Sequence, residues 1–337
     1  MVQPGPRNLI TDVSGLVVGN AQDARLRSGV TVLIGDAPMP AVCDIRGGAP
    51  GVRDTAALDA ASLVGAVDAL VLSGGSAFGL DAPAGVTQVL RAQGRGFEIR
   101  PGAPRVPIVP GAILFDLMNG GDKDWGAETP YRALGMRAAE AAGADFALGN
   151  AGAGLGAVAG AYKGGLGSVS AVAGGVTVGA LVAVNALGSP LIPGTDVFWA
   201  HPFEQAGEFG GRRLKSDAAV DLDLPSDMKG ARPAENTTIA IVATDAALDR
   251  TALMRLAVMA ADGFARALRP VHTPFDGDVV FAVSTAKKPG GTALDAMRLG
   301  HVAADCVARA IARGVYEAQS LGTAKSYRDT FKGERDG

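Results

Sequence analysis

The hydrophobic and polar positions along the chain predict a mixture of strands and helices. Residues 15–19 and 30–34 are apolar, β-branched runs between glycine-rich turns, a pattern typical of strands. Residues 164–187 are apolar but interrupted by serine, threonine and glycine, which favours two buried strands that end at Asn185. Further strands are predicted at 237–244 and 278–284.

Helical spacing of apolar residues marks several other segments. In residues 251–268 the apolar positions recur with the 3.6-residue period of an amphipathic helix. Residues 57–72 predict a helix that runs into a strand. The remaining helices are predicted at 80–93, 133–143 and 292–316. Strands and helices mixed in this order favour an α/β sandwich.

One boundary between a polar segment and an apolar strand stands out. From residue 202 to 235 the chain is polar and charged, which predicts an exposed, poorly ordered segment that tolerates cleavage. The strand predicted at 237–244 begins directly after it, at Asn236-Thr237. A residue released as a chain terminus there would lie at the start of a rigid element, where a nucleophile is held accurately.

The bulk composition excludes several classes of function. The chain has 337 residues, 48% hydrophobic and 19% charged, which is typical of a soluble globular protein of one large or two ordinary domains. A formal net charge of −3 offers no electrostatic reason to expect nucleic acid or an anionic membrane as a partner. We expect no membrane span, because polar residues and glycines interrupt the apolar stretch at 164–187.

The cysteines and the first residues bear on the cellular setting. Cys43 and Cys306 have neither metal-ligand spacing nor the pattern of a disulfide framework. The first eight residues do not form the apolar region of a signal peptide. These features predict a reducing, cytoplasmic environment.

The Asn236-Thr237 bond is a candidate site of self-cleavage. A threonine hydroxyl is a weak nucleophile until a base removes its proton. A threonine at a chain terminus carries such a base in its own α-amine, whose unperturbed pKa is ~7.7–8.0. Thr237 could gain this amine if its Oγ attacked the Asn236 carbonyl and water hydrolysed the resulting ester. The tripeptide Asn-Thr-Thr alone is equally compatible with the start of an ordinary strand.

A wider set of motifs supports the catalytic interpretation. Six blocks in order resemble the L-aminopeptidase/D-esterase family of autoprocessing N-terminal-nucleophile hydrolases, which includes β-peptidyl aminopeptidases and 6-aminohexanoate-oligomer (nylon-oligomer) endohydrolases. The resemblance covers nearly the whole chain. The blocks are Asp44-Ile-Arg-Gly-Gly-Ala-Pro-Gly51, Leu72-Ser-Gly-Gly-Ser-Ala-Phe-Gly-Leu-Asp81, Val109-Pro-Gly-Ala-Ile-Leu-Phe-Asp116, Lys163-Gly-Gly-Leu-Gly167, Glu235-Asn-Thr-Thr-Ile239 and His272-Thr-Pro-Phe-Asp-Gly-Asp278.

The resemblance implies a fold, a processing step and an assembly. The expected fold is a four-layer αββα sandwich of the N-terminal-nucleophile type. Residues 1–337 would fold as one unit that cuts itself between Asn236 and Thr237 into fragments 1–236 and 237–337. Acyl transfer through Thr237 needs no cofactor. The expected substrate is a small peptide or oligoamide. Processed protomers are expected to associate as a homotetramer.

The resemblance also implies roles for residues around Thr237. Asp276 and Asp278 would orient the free amine and the nucleophile, although Asp-Gly-Asp is also a common turn sequence. Lys163 would offset the two aspartates, the alternative being a lysine that reaches the surface. Asn185 would donate its amide N–H to the oxyanion, the alternative being a polar residue at a strand end.

Two further features concern the pocket. The turn Ser73-Gly74-Gly75 is expected to line it with backbone groups. Some members of the family carry a tyrosine where this chain has Phe115. The phenol that could stabilise the oxyanion is therefore absent here, and that role falls to Asn185 and backbone N–H groups.

Other motifs carry less weight. The glycines at 152–156 approximate a dinucleotide fingerprint but lack the acidic residue about 20 positions further on. The glycine spacing around Ser76 does not match a nucleophile elbow. His201, His272 and His301 are too far apart for a metal motif, so no metal site is expected, and His272 is interpreted as a structural histidine.

Two alternatives and the substrate stay open. A self-processing acyltransferase would pass the acyl group to an amine instead of water. A small-molecule binding protein of the same fold would never be cut. Enzymes that cleave α-peptides, β-peptides or nylon-type oligomers all use the same chemistry. They differ in the shape of the substrate pocket. A threonine nucleophile with Asp-Gly-Asp slightly favours the nylon-oligomer hydrolases.

Overall fold

The computed structural model describes residues 2–59, 61–215, 220–221, 223–230, 236–290 and 292–332. The strands are β1 (Leu16–Asp23), β2 (Ser28–Ile45), β3 (Val52–Arg53), β4 (Ala66–Ser73), β5 (Gly111–Ile113), β6 (Val158–Ala159), β7 (Tyr162–Lys163), β8 (Gly165–Ala173), β9 (Val176–Asn185), β10 (Thr237–Ala246) and β11 (Val279–Lys288). The α-helices are α1 (Ala82–Ala92), α2 (Tyr131–Glu140), α3 (Arg250–Ala267), α4 (Ala293–Glu317) and α5 (Tyr327–Thr330). Short 3-10 turns occur at Ile10–Asp12, Thr55–Leu58, Ser76–Asp81, Gly152–Gly154 and His201–Phe203.

The long strand β2 joins two sheets. Its first half pairs with β1 and β4, and β4 continues to β5 and β3. Its second half, from Ala41 to Ile45, pairs with β11, which is followed by β10, β9 and β8. One strand of 18 residues therefore belongs to both β-layers and connects them at one edge.

Three apolar clusters separate four layers. One cluster lies between α3, α4 and the sheet β8–β11, a second lies between α1, α2 and the other sheet, and the third fills the space between the two sheets. Strand β10 contributes to two of them, since Ile239 and Ile241 face the inter-sheet core while Ala240 and Val242 face the helices. The order is helices, sheet, sheet, helices, which confirms the predicted αββα sandwich.

Strand β10 lies in the middle of its sheet. It runs parallel to β11 and antiparallel to β9, with Thr237 directly opposite Asn185. Every residue of β10 is buried. Because residues directly opposite in an antiparallel pair project to the same face, the first residue of β10 and the last residue of β9 lie side by side.

Most predicted elements are confirmed, and one is wrong. The strands at 164–187 and 237–244 and the helices at 80–93, 133–143, 251–268 and 292–316 correspond to β8, β9, β10, α1, α2, α3 and α4. The helix predicted at the start of 57–72 is absent from the described residues there, which form one 3-10 turn at Thr55–Leu58 and then β4. Among the described residues from 57 to 65, only Leu58 is buried and Leu63 is fully exposed, so no apolar face stabilises a helix.

The polar segment at 202–235 is more ordered than predicted in its first part. Phe209 is buried, and the backbone N–H groups of Phe209 and Gly211 donate to Glu204 at 2.9 Å. Arg213 completes this cluster with an ion pair to Glu204. Residues 216–219, 222 and 231–235, which the same prediction covers, lie outside the described residues. Among the residues that are described, no helix has the length and apolar character to cross a bilayer.

Candidate active site

The Asn236-Thr237 peptide lies buried at the start of β10. Both residues are almost inaccessible to solvent. The Thr237 hydroxyl donates to the Asn236 carbonyl oxygen at 2.5 Å, and the backbone N–H of Gly277 donates to the same oxygen at 2.8 Å. The hydroxyl therefore lies against the carbonyl that it would attack, and a backbone donor already holds the oxygen that would become negative.

Gly277 is what allows this approach. A Cβ at position 277 would lie 2.8 Å from Thr237 Oγ and 2.7 Å from the Ala49 carbonyl oxygen. Neighbouring Gly47 is packed as tightly, because a Cβ there would lie 2.4 Å from the backbone nitrogen of Asp278. The Asp276-Gly277-Asp278 loop thus fits between the 47–49 segment and Thr237 only with glycine at these positions.

Asp278 ties the loop to β10 and to His272. Its Oδ1 accepts from the backbone N–H of Thr238 at 2.8 Å. Its Oδ2 accepts from the backbone N–H of His272 at 3.1 Å and lies 2.9 Å from His272 Nδ1. The carboxylate is fully buried, so these polar contacts compensate for its loss of water.

Asp276 is a second buried carboxylate in the same loop. Its Oδ2 accepts from the backbone N–H and the hydroxyl of Thr273, at 2.8 and 2.6 Å. Burial and then the charge of Asp278 raise the pKa of Asp276 above its ordinary value, against the effect of these hydrogen bonds. Backbone pairing of Asp276 with Asn236 places the two residues side by side.

Asn185 lies opposite Thr237 at the end of β9. Its Nδ2 donates to the carbonyl oxygen of Phe115 at 3.1 Å, and its Oδ1 accepts from the backbone N–H of Val158 at 3.0 Å. The ammonium of Lys229 lies 3.3 Å from the same Oδ1. These partners therefore distinguish the oxygen end of the Asn185 amide, which accepts, from the nitrogen end, which donates.

Lys163 is a buried cation of the site and does not reach the surface. Its ammonium donates to the carbonyl oxygens of Gly154 and Gly164 at 2.9 and 2.7 Å. Burial lowers the pKa of Lys163 from 10.5 to about 7, and the nearby Asp116 carboxylate opposes this shift. Asp116 is the carboxylate whose charge acts on the pKa of Lys163, and the role of Lys163 toward Asp276 and Asp278 stays a prediction.

Asp116 connects Lys163 with the predicted glycine turn. Its Oδ1 accepts from the backbone N–H of Gly75 at 2.8 Å. Ser73 is buried and its hydroxyl donates to the Gly74 carbonyl at 2.9 Å, while Gly75 has a φ of 86°. Burial raises the pKa of the Asp116 carboxyl, against hydrogen bonds from Ser28 and Gly75 and the charges of Lys123 and Lys163.

The structure brings the predicted residues together to different degrees. Asn236, Thr237, Asn185, Asp276 and Asp278 surround the candidate scissile bond. Phe115 joins them through its backbone carbonyl. Gly75 and Lys163 lie instead near Asp116, and Ser73 and Gly74 precede Gly75 in the same turn.

Four residues of the site were not predicted as site residues from the sequence: Gly277, Asp116, His272, which was interpreted as a structural histidine, and Lys229. The first three lie in or beside the quoted motif blocks, which was the available signal. Lys229 lies in the segment predicted to be exposed, and nothing in its local pattern marks it. Within the described part of the chain, no group of three or more histidine, cysteine or acidic side chains could hold a metal ion.

The fold and this site define a class of protein. The sandwich has the N-terminal-nucleophile hydrolase fold, and its candidate nucleophile is the first residue of a central strand. The β-aminopeptidase of a Burkholderia species has a similar structure, with a TM-score of 0.69 at 22% identity over 98% of this chain and 95% of that one. The L-aminopeptidase D-Ala-esterase/amidase of Ochrobactrum anthropi, described as a variant of that fold, matches with a TM-score of 0.65 at 19% identity over 96% and 91% of the two chains.

The sequence comparisons place the chain in a family. It belongs to peptidase family S58, whose model matches residues 8–328. An uncharacterized aminopeptidase of Mycobacterium tuberculosis is 43% identical over 347 residues, which cover 97% of this chain and 98% of the relative. A 6-aminohexanoate-oligomer endohydrolase of a Kocuria species is 30% identical over 291 residues, which cover 83% of this chain and 76% of the relative. The family resemblance predicted from the motif blocks is confirmed, and the chain is a member of a family of peptide and amide hydrolases.

Proposed function

We propose that the protein is an amide hydrolase that cuts itself between Asn236 and Thr237 and then uses Thr237 as its N-terminal nucleophile. One observation carries this proposal. The Thr237 hydroxyl contacts the Asn236 carbonyl oxygen at 2.5 Å, while Gly277 N–H donates to that oxygen at 2.8 Å. A buried hydroxyl and a backbone donor contact the same carbonyl oxygen, which supports acyl transfer at this peptide bond.

The self-cut is an acyl shift followed by hydrolysis. Thr237 Oγ bonds to the Asn236 carbonyl carbon, and the negative oxygen is held by Gly277 N–H. The carbon–nitrogen bond then breaks, and the Thr237 nitrogen takes up the proton that Oγ has lost. Water hydrolyses the ester, which leaves a carboxylate on Asn236 and both a hydroxyl and an α-amine on Thr237.

Turnover uses the same hydroxyl with a new base. The freed α-amine of Thr237 takes the hydroxyl proton, Oγ attacks the substrate amide, and the amine product leaves. Water then releases the acid from the acyl-enzyme. Asp276 and Asp278 hold the amine in place, and Asn185 Nδ2 stabilises the oxyanion, since Phe115 has no phenol to do so.

The substrate class follows from the relatives. We propose short peptides or oligoamides, which include the substrates implied by the names aminopeptidase and 6-aminohexanoate-oligomer endohydrolase. Because Thr237 is buried in the uncut chain, the segment that ends at Asn236 must move after the cut to admit such a molecule. Processed protomers are proposed to form a homotetramer.

Intact mass and a denaturing gel of the purified protein, beside Thr237→Ala, test the proposal. Scaling 33.9 kDa by residue count, the self-cut gives fragments of about 24 and about 10 kDa. We expect both fragments in the wild type and one uncut chain in Thr237→Ala. A wild-type chain that stays whole after long incubation would favour an uncleaved binding protein. Product analysis with and without an added amine separates hydrolysis from acyl transfer to an amine.

A further inference from the structure

The segment just upstream of the candidate cut is docked beside the active site. Residues 223–230 are described, and they lie in the sequence between β9 and β10. The backbone N–H of Lys229 donates to the carbonyl oxygen of Leu187 at 2.8 Å. The Ser189 hydroxyl donates to Asp227 Oδ2 at 2.7 Å. Two bonds thus hold residues 227–229 against residues 187–189, immediately after Asn185.

Close packing supports the same docking. A Cβ at Gly160 would lie 2.7 Å from the carbonyl oxygen of Asp227, so this stretch approaches the turn between β6 and β7 as closely as glycine allows. Ser189 is fully buried beneath it. Residues 227–229 are therefore part of the wall of the site, although the sequence predicts an exposed segment there.

The Lys229 side chain reaches the residue opposite the nucleophile. Its ammonium lies 3.3 Å from Asn185 Oδ1, which also accepts from Val158 N–H at 3.0 Å. Asn185 Nδ2 points the other way and donates to the Phe115 carbonyl. A cation at the oxygen end of an amide fixes which end is the donor and strengthens the polarity of the N–H bonds.

We propose that Lys229 is a positioning residue of the active site, which acts through Asn185 to orient and polarise the amide that stabilises the oxyanion during turnover. This rests on the proposed function. It also means that residues 227–229 stay docked in the processed enzyme, so that the large fragment supplies a cation close to its own new end.

The structure separates the effect of Lys229 on turnover from its effect on the self-cut. In the self-cut the developing charge is on Asn236 O, which Gly277 N–H holds. In turnover the oxyanion belongs to the substrate, and Asn185 Nδ2 is the group proposed to stabilise it. Loss of the Lys229 cation should therefore lower kcat and leave the self-cut intact.

The test compares Lys229→Met and Lys229→Arg with Lys215→Met, an exposed lysine upstream in the same polar segment. Self-cleavage is followed by intact mass. Turnover is measured on whichever of the p-nitroanilides of L-alanine, β-alanine and 6-aminohexanoate the wild type hydrolyses. We expect complete self-cleavage in all three variants. In Lys229→Met kcat should fall about tenfold or more, the effect of losing one charged hydrogen bond, with KM changed by less than about twofold. Lys229→Arg should recover most of kcat.

A double-mutant cycle tests the route through Asn185. In an Asn185→Ala background, Lys229→Met should cause little further loss, because its effect passes through the missing amide. Additive losses would overturn the proposal, as would a kcat in Lys229→Met equal to that of Lys215→Met. Failure of Lys229→Met to cut itself would overturn it too, since the lysine would then be needed for the precursor. A wild type that neither cuts itself nor turns over any probe would instead overturn the proposed function itself.

Discussion

Gly277 is the residue that brings a backbone donor to the candidate scissile carbonyl. Its N–H lies 2.8 Å from Asn236 O, and its missing side chain leaves room for Thr237 Oγ. Any side chain at this position must displace either the nucleophile or the Ala49 carbonyl, and both changes disturb the geometry of attack.

We predict that Gly277→Ala slows self-cleavage by about 10²-fold or more, the cost of losing one oxyanion donor or misplacing the nucleophile. The measurement is the fraction of cut chain over time, by intact mass. Gly230→Ala is the matched control, because a Cβ at Gly230 would have no described atom within 4 Å. Cleavage of Gly277→Ala at the wild-type rate would show that the loop can move away without cost.

Lys163 gives the stability of the protein a defined pH dependence. Its pKa is lowered from 10.5 to about 7 by burial. Between these values the unfolded chain binds a proton that the folded chain does not, so the free energy of unfolding rises with pH. The slope for one such group is at most about 1.4 kcal/mol per pH unit.

Equilibrium urea unfolding of Thr237→Ala and of Thr237→Ala/Lys163→Met, from pH 7 to pH 9.5, tests this sign. Relative to the double variant, the lysine-containing chain should gain stability as pH rises. Equal protein concentrations keep any self-association the same in the pair. Parallel curves for the two chains would mean that Lys163 stays charged in the folded protein.

At the scale of elements, close contact between α4 and β8 depends on small residues. A Cβ at Gly167 would overlap the carbonyl oxygen of Ala310, and one at Gly165 would overlap that of Gly314. Helix α4 therefore lies directly on the backbone of β8, and it also packs on the neighbouring strand β9, whose last residue is Asn185. The position of Asn185 depends on this packing as well as on the sheet.

Gly167→Ala should lower the free energy of unfolding by about 1–3 kcal/mol, because the added methyl separates α4 from β8. Urea unfolding in the Thr237→Ala background measures it. Gly65→Ala serves as control, since a Cβ at Gly65 meets nothing within 4 Å. A Gly167→Ala chain as stable as the control would indicate that the helix shifts without loss of packing.

At the scale of the whole molecule, the proposed cut does not divide the fold. Strands β8 and β9 precede Thr237, whereas β10 and β11 follow it, and all four belong to one sheet. Helix α4 packs on β8 and β9 from the other side of the cut. Each proposed fragment would expose a large apolar face without the other.

We therefore predict that fragments 1–236 and 237–337 elute together in native gel filtration and separate only in denaturant. Isolated fragment 237–337, produced on its own, should lack a cooperative unfolding transition. A small fragment that elutes alone with native circular dichroism would contradict this. The Thr237→Ala chain, which cannot separate, marks the elution volume of the intact unit.

The sequence by itself determined most of the elements and the position of the candidate nucleophile. Periodicity identified β8 to β11 and α1 to α4, because each buries one face or both faces of a regular element. The motif blocks indicated Thr237, Asp276, Asp278, Lys163 and Asn185 as candidates, and the family that they indicated is confirmed. The helix predicted at the start of 57–72 was wrong, because the helical spacing there has no apolar surface to cover.

Only the tertiary structure decided which groups act on one another. The bonds from Asp278 to Thr238, from Lys229 to Asn185 and from Asn185 to Phe115 join residues 40, 44 and 70 positions apart. The effect of the Asp116 charge on Lys163 and the donor at Gly277 likewise depend on how strands and loops meet. Local patterns record burial and periodicity, whereas electrostatic partners are set by distance in the folded chain, and a buried charge takes its pKa from whatever group the fold brings within reach.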